Sequence, residues 1–134
     1  MLNAAMPHPR PLVLLVDDHA DTRELYQLAL PYEGFAVIVA ESVERAMQCV
    51  TEQHPDVIVT DLSMPACDGY AFLRWLHGRG EVSIPVIALT AWGGVDEATR
   101  ARAAGCLTVC VKPCLPDALA AQIRAALAAR GVGT

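Results

Sequence analysis

The feature that most constrains the fold is a regular alternation of short apolar runs with segments of helical periodicity. Each run has five or six residues, and the runs cover residues 12–16, 35–39, 56–61, 85–90 and 107–111. A strand followed by a helix and then by another strand forms a βαβ unit, in which the two strands are parallel and the crossover is right-handed. Five such runs therefore predict an α/β fold, with one parallel sheet covered by helices on both faces.

The third apolar run ends in a carboxylate. Residues 56–61 read Asp-Val-Ile-Val-Thr-Asp, and they are bounded by Pro55 and Pro65. A run of β-branched residues without polar alternation predicts a strand that is buried on both faces. In an open α/β sheet the carboxyl ends of the strands form the ligand crevice. Asp61 is therefore expected to face whatever the protein binds.

Capping residues, glycines and prolines predict where the helices begin and end. Asp21 and Glu24 form a predicted capping pair for the first helix, which Pro31 and Gly34 should end with a distorted last turn. Ser42 is expected to cap the second helix. Apolar residues at helical spacing predict the stripes Leu25, Leu28, Ala29 and Tyr32; Val43, Ala46, Met47 and Val50; Phe72, Leu73 and Leu76; and Leu115, Leu119, Ile123, Ala126 and Leu127. The third helix should start at Asp68-Gly69, and an Ala-rich helix is predicted from about Val95 to Ala104.

The length of the chain sets its domain organisation. With 134 residues it is large enough for one domain with its own core. We expect a disordered leader over residues 1–11 and a single domain over residues 12–131. No apolar run is long enough to span a bilayer, and the first residues lack the pattern of a secretory signal, so a cytoplasmic location is expected.

The distribution of charge and the cysteine content argue against several classes of partner and of site. The net charge is −5, and the cationic residues are spread along the chain, which disfavours direct binding to nucleic acid. The five cysteines are odd in number and contain no C-x-x-C pair, which argues against a disulfide framework or a zinc knuckle. We expect them to be reduced; they are Cys49, Cys67, Cys106, Cys110 and Cys114.

Polar residues follow four of the five predicted strands and should meet at one rim of the sheet. Asp17 and Asp18 follow the first strand, Asp61 and Thr90 end the third and fourth, and Lys112 follows the fifth. Three neighbouring acids repel one another unless a divalent cation lies among them, and oxygen ligands around an open site suit Mg²⁺. The sequence therefore predicts an acidic magnesium pocket.

The same residues suit phosphoryl transfer. A carboxylate can attack a phosphoryl group to give an aspartyl phosphate, whose oxygens then need positive charge and hydroxyl donors nearby. Thr90 and Lys112 supply these groups. Lys112 is the only lysine among the ten cationic residues, and a compact ammonium on a flexible stem acts as a point charge for phosphate.

Taken together, these motifs resemble the receiver domain of bacterial two-component response regulators. The resemblance is carried by Asp17-Asp18, Asp61 with Met64-Pro65 and Asp68-Gly69, Thr90-Ala91, and Lys112-Pro113. It covers about residues 12–130 and implies a flavodoxin-like doubly wound (βα)5 fold with a sheet of order 2-1-3-4-5. It also implies that Asp61 accepts a phosphoryl group from a histidine of a sensor kinase.

The resemblance assigns a role to each site residue. It implies that Asp18 and Asp61 bind Mg²⁺ directly, that Asp17 acts through water, and that the main-chain carbonyl of Ser63 completes the metal site. Thr90 would contact the phosphoryl oxygens, and Lys112 would pair with them. The bond between Lys112 and Pro113 would be cis.

The roles of three residues near the predicted site stay open; these residues are His19, Trp92 and Val109. In the family that the sequence resembles, an aromatic residue commonly stands at the position of Val109 and rotates inward on phosphorylation. The usual coupling between the threonine and that aromatic residue therefore cannot operate here in its ordinary form, which leaves the output mechanism open. Trp92 is either an exposed loop residue or, with Ser63, a control on the attack of water on the phosphoryl group. For His19, which follows Asp18, a solvent-exposed residue at a helix start is favoured over a ligand.

The leading interpretation is a phosphorylation-controlled signalling switch, which is not an enzyme beyond its own phosphorylation and dephosphorylation. Its expected partners are a sensor histidine kinase or phosphotransfer protein, and a downstream protein that binds the face of the fourth helix, fifth strand and fifth helix. The alternatives are a Mg²⁺-dependent phosphohydrolase with an Asp nucleophile and a degenerate receiver that acts as a scaffold. The phosphohydrolase is disfavoured because Ser63, rather than a second acid, lies two residues after Asp61.

Overall fold

A computed structural model of the chain describes residues 10–63, 69–79, 84–91 and 93–130. It contains one five-stranded parallel sheet of order β2-β1-β3-β4-β5, which confirms the predicted α/β fold. The strands are β1 Leu12–Val16, β2 Ala36–Ala40, β3 Val57–Asp61, β4 Val86–Thr90 and β5 Thr108–Val111. The helices are α1 Ala20–Ala29, α2 Val43–Gln53, α3 Gly69–Gly78, α4 Val95–Ala103 and α5 Pro116–Arg130.

Three predictions lie wholly or mostly outside the described residues. They concern the leader, of which only positions 10 and 11 are described; the turn at residues 64–68; and Trp92. The remaining predicted elements are present within one or two residues of their expected bounds.

The sheet separates two apolar cores because successive strand residues point to opposite faces. In β1, Val13 and Leu15 contribute to one core, while Leu14 and Val16 contribute to the other. The first core is covered by α1 and α5, and the second by α2, α3 and α4. Every residue of β3 and β4 is buried, as the unbroken apolar pattern of residues 56–61 predicts.

The start and the face of α1 differ from the prediction. The helix is N-capped by His19 without a side-chain hydrogen bond, and Asp21 lies in the first turn, so the predicted capping pair is wrong. The predicted stripe is also largely exposed: Leu25 is 48 %, Leu28 65 % and Tyr32 94 % exposed. The helix instead buries Tyr26, whose hydroxyl donates a hydrogen bond to the main-chain carbonyl of Cys114. Burial of the ring is possible because its polar end has a partner.

The other helix boundaries follow the sequence signals. A 3-10 turn over Leu30–Glu33 continues α1 and ends at Gly34, which has a φ of +98°. This is the distorted end expected from Pro31 and Gly34. Ser42 caps α2 by accepting a hydrogen bond from the Arg45 amide at 3.1 Å. In the part of the chain that the structure describes, no helix combines the length and apolar character needed to cross a membrane.

Candidate functional site

The register of the sheet brings the predicted site residues to one rim. Val16 of β1 pairs with Thr60 of β3, so the residues that come next in the chain, Asp17 and Asp61, lie at the same level. On the other side, Thr90 of β4 pairs with Val111 of β5, and the amide of Lys112 donates a hydrogen bond to the Thr90 carbonyl at 2.7 Å. The carboxyl ends of the three central strands and β5 therefore position all of these side chains.

Asp17 and Asp61 are buried carboxylates joined by one ammonium group. Their side chains are 0 % and 3 % exposed, and the Lys112 Nζ lies 2.8 Å from Asp17 Oδ2 and 3.0 Å from Asp61 Oδ2. Burial alone would lower the pKa of Lys112, but its hydrogen bonds to the two carboxylates and their negative charge raise that pKa above its usual value. Lys112 is therefore a stable cation between the two acids.

Main-chain amides support the same two carboxylates. Asp61 Oδ1 accepts a hydrogen bond from the Ser63 amide at 2.7 Å, and Asp17 Oδ1 accepts one from the His19 amide at 2.9 Å. The Arg23 guanidinium donates to the main-chain carbonyl of Asp17 at 3.0 Å. These contacts hold the carboxylates in place before any ligand arrives, which is the preorganisation that a reactive site requires.

The acidic residues form a group that suits a small divalent cation. Asp17, Asp18, His19 and Asp61 each offer a ligand atom, and these atoms lie within 4.8 Å of one another. Asp18 Oδ1 is buried without a hydrogen-bond partner among the described residues, although the His19 Nδ1 lies 3.1 Å away. A buried carboxylate oxygen in that position lacks the compensation that a cation would provide. Carboxylate oxygens are the ligands that Mg²⁺ prefers, so the residues present fit the predicted metal.

His19 is closer to the acids than the sequence indicated. Its side chain is 63 % exposed, as expected for a solvent-exposed residue, but its Nδ1 lies 3.1 Å from both Asp17 Oδ1 and Asp18 Oδ1. Position next to the acidic pair is the only signal in the sequence that could have indicated this contact.

The remaining predicted site residues lie in or shortly after β3, β4 and β5. Thr90 is fully buried at the end of β4. The bond between Lys112 and Pro113 is cis, as the resemblance implied. Val109 is half-buried in β5 and packs against the core on the α2, α3 and α4 side. Ser63 supplies the amide described above, and its predicted metal-binding carbonyl stays a prediction.

Comparison with known proteins identifies the family. The sequence profile of the response regulator receiver domain matches residues 13–124, which is most of the chain. The chain belongs to the response regulator receiver domain family. Receiver domains are regulatory modules, so the family assignment agrees with the predicted class of function.

Similar proteins and structures agree with this assignment. The chain is 35 % identical over 121 residues to the transcriptional regulatory protein PrrA of Mycobacterium tuberculosis, a match that covers 90 % of the chain and 52 % of PrrA. It is 34 % identical over 123 residues to the phosphate regulon transcriptional regulatory protein PhoB of Pseudomonas aeruginosa, covering 90 % and 53 %. The receiver-domain chain thus spans about half the length of these curated relatives.

The fold comparison gives the same result. The chemotaxis response regulator CheY4 of Vibrio cholerae superimposes with a TM-score of 0.82 at 25 % identity, over 88 % of this chain and 99 % of that one. A response regulator receiver domain protein from Clostridium thermocellum superimposes with a TM-score of 0.81 at 27 % identity, over 90 % and 97 %. The predicted flavodoxin-like fold is therefore confirmed.

Proposed function

We propose that this receiver domain is a phosphorylation-controlled switch in which Asp61 accepts a phosphoryl group from a phosphohistidine of a sensor kinase or phosphotransfer protein. An oxygen of the Asp61 carboxylate forms the new O–P bond, and the P–N bond of the donor breaks as the imidazole leaves with its electron pair. The observation that carries the proposal is the position of Lys112, whose Nζ lies 3.0 Å from the Asp61 carboxylate.

The other residues of the rim would stabilise the transferring group. Lys112 can place its charge against a phosphoryl oxygen while it keeps its contact with Asp17. Thr90 ends the adjacent strand and would contribute its hydroxyl. Asp18, Asp61 and the Ser63 carbonyl would hold Mg²⁺, with Asp17 acting through water, and a bound Mg²⁺ supplies neutralisation of the phosphoryl charge.

A downstream protein would detect the phosphorylation of Asp61 at one face of the domain. Phosphorylation would alter the face formed by α4, β5 and α5, which presents the exposed apolar side chains of Val95 and Val111 at its rim end. A downstream protein would bind this face with an affinity that depends on the phosphorylation state. The dispersed cations of the chain support a protein rather than nucleic acid as that partner.

A labelling experiment tests the proposal. The protein is incubated with Mg²⁺ and a small phosphodonor such as acetyl phosphate, and the product is examined for a phosphate that survives acid but is lost in alkali. We expect about one equivalent of label in the wild type and none in Asp61→Ala. Asp56→Ala serves as the matched control, because Asp56 lies at the opposite end of β3, where its carboxylate accepts a hydrogen bond from the Leu12 amide. Label retained in Asp61→Ala would contradict the proposal.

A further inference from the structure

Helix α4 is weakly anchored to the rest of the domain. All nine residues of α4 are described, and Ala101 is the only buried one, whereas α3 buries five of its ten residues. Val95, at the start of α4, is 82 % exposed. A helix with so little buried apolar surface depends on side-chain contacts for its position, and such elements move at low cost in free energy.

One of these contacts joins α4 to Tyr70 of α3. The Tyr70 hydroxyl donates a hydrogen bond to Glu97 Oε1 at 3.1 Å, and the Arg100 guanidinium lies 4.1 Å from the centroid of the Tyr70 ring. The ring is buried, with 8 % of the residue exposed. A charged hydrogen bond and a cation–π contact from successive turns of α4 therefore converge on a single side chain.

Tyr70 is also linked to the proposed phosphoacceptor through its neighbour in sequence, Gly69. It follows Gly69, where an added Cβ would lie 2.9 Å from the Asp61 carbonyl oxygen and 2.9 Å from Leu62 Cα. The first residue of α3 thus packs directly against the main chain of Asp61. A displacement of the main chain at Asp61 or Leu62 must move the start of α3, because there is no free space between them.

Val109 in the fifth strand offers no comparable route. Val109 is half-buried against the core and carries no polar group that could follow the state of the rim. Tyr70 by contrast contacts α4 directly through its hydroxyl and through its ring.

We propose that Tyr70 couples the phosphorylation state of Asp61 to the position of α4. The inference rests on the proposed function, since it requires that Asp61 is phosphorylated. In the unphosphorylated domain Tyr70 holds α4 through Glu97 and Arg100. Phosphorylation of Asp61 shifts the start of α3, the contact between Tyr70 and Glu97 is lost, and α4 is released for a partner.

This arrangement determines whether loss of the contact between Tyr70 and Glu97 raises or lowers the affinity for a phosphoryl analogue. A contact that exists only in the unphosphorylated state stabilises that state, so its removal favours the phosphorylated conformation and tightens the binding of a phosphoryl analogue. Because Glu97 is only half-buried, solvent weakens its charged hydrogen bond, and the loss of this bond corresponds to about a threefold to tenfold change in affinity.

The experiment uses the full chain with Mg²⁺ and beryllium trifluoride, a phosphoryl analogue, in the wild type and in Tyr70→Phe. This variant keeps the ring and its contact with Arg100, and removes the hydroxyl. Calorimetry gives the affinity for beryllium trifluoride, and hydrogen exchange measured by mass spectrometry reports the protection of α4 amides. We expect Tyr70→Phe to bind beryllium trifluoride about threefold to tenfold more tightly than the wild type. Exchange in α4 should be faster in the free variant, and beryllium trifluoride should speed it in the wild type.

Two further variants separate coupling from a purely structural role. Glu97→Ala should reproduce both effects of Tyr70→Phe, and the double variant should show no additional change, because the two residues form one contact. Tyr32→Phe is the matched control, since Tyr32 is 94 % exposed.

The outcomes distinguish the two proposals. If acetyl phosphate labels Asp61 but Tyr70→Phe has wild-type affinity for beryllium trifluoride, or α4 exchange is unchanged by that ligand, Tyr70 is not the coupling residue and the switch itself stands. If the wild type is not labelled, the proposed function and the coupling are both overturned.

Discussion

The Nζ atom of Lys112, which follows β5, lies 3.0 Å from Oδ2 of Asp61 at the end of β3, and β4 lies between these two strands in the sheet. The same atom lies 2.8 Å from the carboxylate of Asp17. One cation therefore compensates two buried acids in the unphosphorylated domain. A phosphoryl group on Asp61 must compete for that cation, which makes the lysine sensitive to the state of the site.

Removal of the Lys112 charge should destabilise the domain. In Lys112→Met the two carboxylates remain buried without a cation, and breaking a buried ion pair from one side costs about 3–5 kcal/mol. Added Mg²⁺ should restore part of this loss, because it can neutralise the same acids. Urea denaturation with and without Mg²⁺ measures both effects.

The control for Lys112→Met is Arg124→Met. Arg124 pairs with Glu33 at 2.7 Å, but these side chains are 51 % and 32 % exposed. Exposed pairs contribute at most about 1 kcal/mol. Equal destabilisation by the two substitutions would show that Lys112 does not compensate the buried acids.

Asp18 should control the effect of Mg²⁺ on stability. In the part of the chain that the structure describes, its buried Oδ1 has no hydrogen-bond partner, so Asp18→Asn should leave the metal-free stability unchanged or slightly higher by relieving charge repulsion. The increase in melting temperature on addition of Mg²⁺ should be present in the wild type and strongly reduced in Asp18→Asn. Asp96→Asn, on the exposed first turn of α4, should keep the full increase. A similar response to Mg²⁺ in the wild type and Asp18→Asn would exclude Asp18 as a ligand.

A side chain at Gly105 should destabilise the domain. Its φ is +107°, and an added Cβ would lie 2.1 Å from Nε2 of His77, which is itself 3.1 Å from the Ala104 carbonyl. Gly105→Ala should cost about 1–3 kcal/mol through backbone strain and displacement of His77. Equilibrium unfolding measures this cost.

A double variant separates the two parts of the Gly105 effect. Adding His77→Ala removes the steric conflict. The loss of unfolding free energy in the double variant should therefore be smaller than the sum of the losses in the two single variants. Gly78→Ala is the control, because an added Cβ there meets no atom of the described residues within 4 Å. Strict additivity of Gly105→Ala and His77→Ala would contradict the close approach.

Alkaline pH should destabilise the fold through buried thiols and phenols. Burial raises the pKa of Cys106 from 9.0 to about 11 and that of Cys110 to about 12. Burial also raises the pKa of Tyr26 and of Tyr70 from 10.0 to about 12, and for Tyr70 the hydrogen bond to Glu97 adds to the effect.

The direction of the pH dependence follows from proton uptake. Between the unfolded and folded pKa values the folded state binds more protons, so the free energy of unfolding is fully retained below about pH 9 and falls as the pH rises towards 12. Urea midpoints across this range measure the decline. Cys106→Ala should flatten it between about pH 9 and 11, and an unchanged slope in that variant would contradict the role of the buried thiol.

The sequence by itself determined the fold and the composition of the site. Five apolar runs separated by helical patterns define the parallel sheet, because strand burial and crossover handedness are local consequences of residue pattern and chirality. The acids at the ends of β1 and β3 could be placed at one rim for the same reason. The residue types at this rim, three acids with one threonine and one lysine, were enough to indicate a Mg²⁺ site and phosphoryl chemistry.

The tertiary structure decided contacts that depend on the orientation of elements. The spacing of the leucines in α1 did not predict which face of the helix is buried. The buried face contains Tyr26, whose hydroxyl donates a hydrogen bond to the Cys114 carbonyl on a segment that is distant in sequence. The convergence of Glu97 and Arg100 on Tyr70 likewise requires the relative placement of α3 and α4. Periodicity specifies which residues share a face of one helix, but the partners of that face are set by packing between elements that are far apart in sequence.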